Sequence, residues 1–138
     1  MQNTPLLRAV GRIKKPVLLK RGFGNTIEEW LGAVAYIEKE GNDQIILCER
    51  GIRTFETALR FTLDLAGAIL VFQKTPYPVI VDPSHATGNP DLVEPLVRAV
   101  KSAGLSGVMV EVHYNPQKAL SDAEQALTPE QFNLIFEK

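Results

Sequence analysis

Four short apolar runs divide the chain: Pro16-Val-Leu-Leu-Lys20, Gln44-Ile-Ile-Leu-Cys-Glu49, Pro78-Val-Ile-Val-Asp82 and Gly107-Val-Met-Val-Glu-Val-His113. Each predicts a buried strand, since near-continuous Val/Ile/Leu runs suit parallel strands covered on both faces. Their first β-branched or aliphatic residues, Val17, Ile45, Val79 and Val108, fall at intervals of 28, 34 and 29. That spacing matches one strand-plus-helix unit, repeated. The stretches between the runs carry helix signals. Thr26 followed by Glu28 and Glu29 makes an N-cap with acid in the first turn, and Trp30, Leu31, Val34 and Ile37 recur at helical spacing until Gly41-Asn42. Asn3 or Thr4, with Pro5 at the first helical position, opens a short helix through Leu6, Leu7 and Val10 that Gly11 stops. Further helices are predicted from Thr54 to about Gly67, from Asp91 to Ala103 with Gly104 beyond, and from Thr128-Pro129-Glu130 onward.

A helix followed by four βα units, with right-handed crossovers, places the strands side by side. The pattern allows a small doubly wound sheet or half of an eight-stranded βα barrel, whose whole needs roughly 250 residues. Four units alone leave two open strand edges and an apolar inner face, which invites association with another chain. Trp30 and Phe132 are expected in the core.

Composition narrows the class without choosing the function. At 138 residues, 45% hydrophobic and 22% charged, residues 1–138 read as one ordinary domain. With 15 Lys+Arg against 16 Asp+Glu, the net charge of -1 gives no global attraction for nucleic acid or an anionic membrane, so anion binding must come from a local cluster. One cysteine excludes an internal disulfide framework and a multi-cysteine zinc site, and fits a reducing compartment; the cytoplasm is the expected location. Neither a secretory leader nor a membrane span is visible. Cys48, inside an apolar run, reads as a small core residue.

In parallel α/β folds function collects at the carboxyl ends of the strands. Here those ends read Lys20-Arg21-Gly22, Glu49-Arg50-Gly51 with Arg53 following, Asp82-Pro83-Ser84-His85, and Glu111-Val112-His113. Lys20, Arg21, Arg50 and Arg53 would bring cations to one rim, and the arginine fork matches phosphate oxygens, which implies a phosphorylated or carboxylated substrate. The competing reading is solvated loop charges paired with Glu49 or Glu56. His85, Glu111, His113 and Asp122 supply imidazole and carboxylate donors suited to a divalent transition metal, although either histidine could equally be a hydrogen-bonded loop residue. Asp82, before Pro83, could also be a turn-former. Gly22-Phe-Gly-Asn25 lacks the spacing of a nucleotide-binding loop.

The strings KPVLLKRGFGNTIEEW (15–30), IILCERGIRTFE (45–56), PVIVDPSHATG (78–88), VMVEVHYNPQKALSD (108–122) and QALTPEQF (125–132) closely resemble 3-deoxy-D-arabino-heptulosonate 7-phosphate (DAHP) synthases of the short, single-barrel form. The resemblance runs in order over nearly the whole chain. It implies a parallel (βα)4 half of a TIM-type (β/α)8 barrel, a divalent metal such as Mn2+, and an aldol-type condensation of phosphoenolpyruvate with erythrose 4-phosphate, the first step of the shikimate route to aromatic amino acids. Residue by residue it implies Lys20 and Arg50 as ligands of phosphoenolpyruvate, His85, Glu111 and Asp122 as metal ligands, and catalytic roles for Lys20, Asp82 and His85, with Asp82 supporting a ligand or moving a proton. The strings correspond to the last four strands of the family barrel. The first four, with a metal-ligating cysteine, a Lys-Pro-Arg loop and a Gly-Ala-Arg-Asn stretch, have no counterpart here, and Met1-Gln2-Asn3 corresponds to an internal family position. Cys48 matches a different family cysteine and does not replace the ligand. The expectation is therefore a half-barrel that falls well short of full turnover alone, or one that associates with itself or with a separate N-terminal half. The remaining reading is a gene fragment.

Overall fold

The computed structural model describes residues 1–136. Its elements are α1 (Thr4–Gly11), β1 (Val17–Lys20), α2 (Ile27–Glu38), β2 (Ile45–Glu49), α3 (Leu65–Lys74), β3 (Val79–Val81), α4 (Pro83–Thr87), α5 (Val93–Ser102), β4 (Gly107–Val108) and α6 (Pro129–Phe136), with 3-10 turns at Pro90–Leu92 and Pro116–Lys118. The strands form one sheet in the order β1-β2-β3-β4, every neighbouring pair parallel. In its register Val17 lies opposite Ile45, Leu47 opposite Val79, and Ile80 opposite Gly107.

Local chemistry sets the helix starts. The Asn3 side chain accepts from the Leu6 N–H at the head of α1, and Pro5 follows it. A full capping box opens α2: Thr26 Oγ1 accepts from Glu29 N–H, and the Glu29 carboxylate accepts from Thr26 N–H. The helix predicted from Thr54 to about Gly67 is displaced. Residues 54–62 form a loop pinned by an antiparallel bridge between Ile52 and Thr62, and α3 starts only after Asp64, whose side chain caps Gly67 N–H. Thr54 and Glu56 spend their side-chain oxygens on nearby backbone N–H groups, which stabilises turns instead of a helix.

The packing decides between the two candidate architectures. Leu19, Ile45, Leu47, Val79 and Val81 form one buried cluster with Leu7 of α1, Trp30, Val34 and Ile37 of α2, Val71 of α3 and Val100 of α5. Successive strand side chains alternate between faces, so Leu18, Ile46 and Ile80 point the other way, and Leu18 is 37% exposed. A doubly wound sheet covers both faces; this one is covered on one, as in a sector of a barrel.

Two other expectations are corrected. Strand β4 pairs over only two residues, not through His113; beyond Met109, whose N–H donates to Val81 O, the chain leaves the ladder and Val112 meets Leu127 in an isolated bridge. Phe132 is only half-buried: it packs on Phe136 and lines a groove of about 840 Å³ along β4 with Val97, Val108 and Met109. Among the described residues no helix is long and apolar enough to cross a membrane.

Candidate active site and metal centre

Every strand delivers its chemistry at the same end. Lys20 closes β1, and its Nζ lies 3.0 Å from Asp82 Oδ2 at the end of β3. Asp82 is fully buried and serves twice: it caps α4 by accepting from His85 N–H, and it receives His85 Nδ1 at 2.9 Å from Oδ2 and 3.1 Å from Oδ1. One carboxylate therefore both caps the turn into α4 and holds the His85 ring. With Nδ1 facing a carboxylate, that nitrogen is the one placed to donate, and Nε2 is the ring atom turned toward the remaining carboxylates.

Nε2 faces Asp122 Oδ2 at 3.7 Å. One ligand atom each from His85, Glu111 and Asp122 lies within 4.8 Å of the others. Glu111 is placed by its own backbone, whose N–H donates to Ser84 Oγ on α4 at 3.1 Å. Asp122 sits in the irregular segment before α6, with φ 55, a left-handed conformation that aspartate tolerates better than most residues. Partial desolvation pushes its carboxyl up, but His85, Arg60 and Gln125 outweigh that and hold it below its ordinary value. One imidazole and two carboxylates, with the imidazole backed by a third carboxylate, form a donor set that fits a divalent transition ion.

Arg50 follows β2 and lies over Phe61, its guanidinium carbon 4.9 Å from the ring centroid, with Phe23 stacked on Phe61 and Arg53 beside both rings. Its Nη1 is buried with no hydrogen-bond partner among the described residues. Arg50 thus belongs to an aromatic-backed corner, while Lys20, Asp82, His85, Glu111 and Asp122 form one connected group.

Two candidate residues lie elsewhere. Arg21 is not on the rim: it is buried between Glu49 (3.3 Å) and Asp64 (2.7 Å), over the Trp30 ring. His113 stacks on Tyr114, and its Nδ1 accepts from Asn115 N–H, so it stays outside the triad. Cys48 is fully buried, and burial pushes its thiol up to about 12, which leaves almost no thiolate at neutral pH. Sequence reasoning missed Ser84, Arg60 and Gln125. Gln125, three residues after Asp122, offers a weak local signal; Arg60, far along the chain, offers none.

A parallel sheet armoured by helices on one face, with a His/carboxylate triad and cationic side chains at its strand ends, defines a sector of a βα-barrel protein with a candidate metal centre. The chain belongs to the DAHP synthetase I family, whose model matches residues 1–138. The phospho-2-dehydro-3-deoxyheptonate aldolase of Thermotoga maritima is 52% identical over 137 residues, covering 99% of this chain and 40% of that protein. The 2-dehydro-3-deoxyphosphooctonate aldolase of Thioalkalivibrio sulfidiphilus is 33% identical over 138 residues, covering 91% of this chain and 48% of that one. A truncated form of 3-deoxy-D-arabino-heptulosonate 7-phosphate synthase from Thermotoga maritima superposes with a TM-score of 0.96 at 52% identity, over 99% of this chain and 52% of that chain. The chain therefore spans about half the length, or less, of the relatives it matches.

Proposed function

We propose that this chain carries the phosphoenolpyruvate- and metal-holding half of a DAHP synthase site, for the condensation of phosphoenolpyruvate with erythrose 4-phosphate. The observation that carries this reading is the run Lys20–Asp82–His85, which turns the His85 Nε2 toward Asp122, with Glu111 in the same cluster. The higher identity to the heptonate aldolase than to the octonate aldolase supports the four-carbon sugar phosphate as second substrate.

Lys20 and Arg50 hold the phosphate and carboxylate of phosphoenolpyruvate. A buried N–H donor without a partner costs about 1–3 kcal/mol; an anion oxygen on Arg50 Nη1 would remove that cost. His85, Glu111 and Asp122 hold a divalent ion such as Mn2+, which when bound polarises the sugar-phosphate aldehyde as a Lewis acid. Asp82 keeps the proton on His85 Nδ1 and, lying between Lys20 and His85, is the group placed to hold or move a proton. The barrel is closed by four further βα units, from a second copy or from a separate N-terminal half; the open edges of β1 and β4 support this.

Titration of the purified chain with Mn2+ tests the site. Binding is expected in the wild type and lost in His85→Ala; equal binding by both removes the metal assignment. Phosphate release from the two substrates by the chain alone is expected to fall below that of a whole barrel by more than the roughly 10² to 10⁴ of one acid–base group, because positioning and charge stabilisation fail together. Turnover near that of a whole barrel overturns the half-site reading.

A further inference from the structure

We propose that Gln125, itself held by Arg60, is a positioning residue that presents a single oxygen of Asp122 to the metal; this rests on the metal reading above. Among the described residues Asp122 is the one non-glycine residue with a positive φ, a conformation that persists where surrounding contacts hold it. Gln125 supplies one such contact. It is 3% exposed, and its Nε2 donates to Asp122 Oδ1 at 2.6 Å. Its Oε1 accepts from Arg60 Nη1 at 3.2 Å, which fixes which end of the amide faces the carboxylate. Arg60 Nη1 also lies 3.5 Å from Oδ1.

With Oδ1 engaged by these N–H groups, Oδ2 is the oxygen left toward His85 Nε2. Arg60 is anchored to the helix that carries His85: its N–H donates to Thr87 O, and the next N–H, of Phe61, donates to Ala86 O. The Arg60–Gln125 pair thus ties the segment bearing Asp122 to α4, which bears His85, and fixes the separation between two ligands that come from different elements. Supporting groups of this kind typically change metal affinity 10–100-fold.

The experiment is Mn2+ titration of the 138-residue chain, followed through the resonance of the free ion, with the Co2+ absorption spectrum as a report of coordination and the metal-free Tm as a control. Gln125→Met keeps the volume and loses the bond. It is expected to weaken Mn2+ binding about 10–100-fold and alter the Co2+ spectrum while the metal-free Tm holds. Arg60→Ala should act in the same direction, and Arg60→Lys, which retains a donor for Oε1, should recover part of the loss. Unchanged affinity and spectrum overturn the proposal, as does an affinity loss that merely tracks a fall in metal-free Tm. If Gln125→Met does not fold, Arg60→Ala decides, because that side chain is 43% exposed. His85→Ala separates the two readings. If it binds Mn2+ as well as the wild type, or the wild type binds none, the metal site falls and the positioning role with it; if it abolishes binding while Gln125→Met and Arg60→Ala leave binding intact, only the positioning role falls.

Discussion

Lys20 and Arg21 are neighbours in the chain and go to opposite faces of the sheet, as do Arg50 and Glu49, because side chains alternate along an extended backbone. Lys20 reaches Asp82 at the rim, while Arg21 and Glu49 meet beneath it among the helices. Burial pushes the Glu49 carboxyl above its ordinary value near 4.5, against the Gly51 and Asp64 N–H groups and Arg21, which pull it down. The folded chain therefore keeps this proton to higher pH than the unfolded chain. The stability it contributes is fully present below the unfolded value and is lost as pH rises through the folded one. Glu49→Gln removes that dependence and leaves Arg21 short of one partner. Urea unfolding is expected to show a loss of about 1–3 kcal/mol at neutral pH and a larger loss near pH 4.5; a penalty that shrinks toward low pH contradicts the assignment.

At the scale of elements, the connection between β2 and α3 carries the most weight. It holds Arg50 and Arg60, and it turns at Gly51, which has φ +93 and where an added Cβ would sit 2.7 Å from Phe61 Cβ and 2.9 Å from Ala86 Cα. Gly51→Ala is thus strained twice, by conformation and by contact with the backbone of α4. A loss of about 1–3 kcal/mol, or more where the backbone must shift, is expected in thermal unfolding, and a neutral substitution would show that the turn is softer than drawn. The caps at Asn3 and Thr26 were legible as letters, since each acts within three residues. The start of α3 was not. Asp64 caps it while also receiving Arg21 from the end of β1, a partner 43 residues away that no local window contains.

Across the whole molecule, one face of the sheet is armoured and the other is not. Leu18 is exposed, Ile46 and Ile80 are half-buried, and the groove along β4 continues the apolar surface over Phe132 and Phe136. Unpaired edges beside such a surface favour pairing with further strands. Light scattering after size exclusion is expected to give a mass at least twice that of the chain; a clean, stable monomer overturns closure by a second copy. Homodimeric closure would cover the apolar face and duplicate the His85 triad without adding new ligand types. The strand-and-helix rhythm, the loaded strand ends and the family were readable from the letters, because apolar periodicity and contiguous motifs are local properties of a chain. Which cations reach the rim, which histidine joins the carboxylates, and how Arg60 and Gln125 grip Asp122 emerged only from the folded arrangement. Those outcomes depend on the sheet's two faces and on contacts between residues up to 65 positions apart, and neither is encoded in any single stretch.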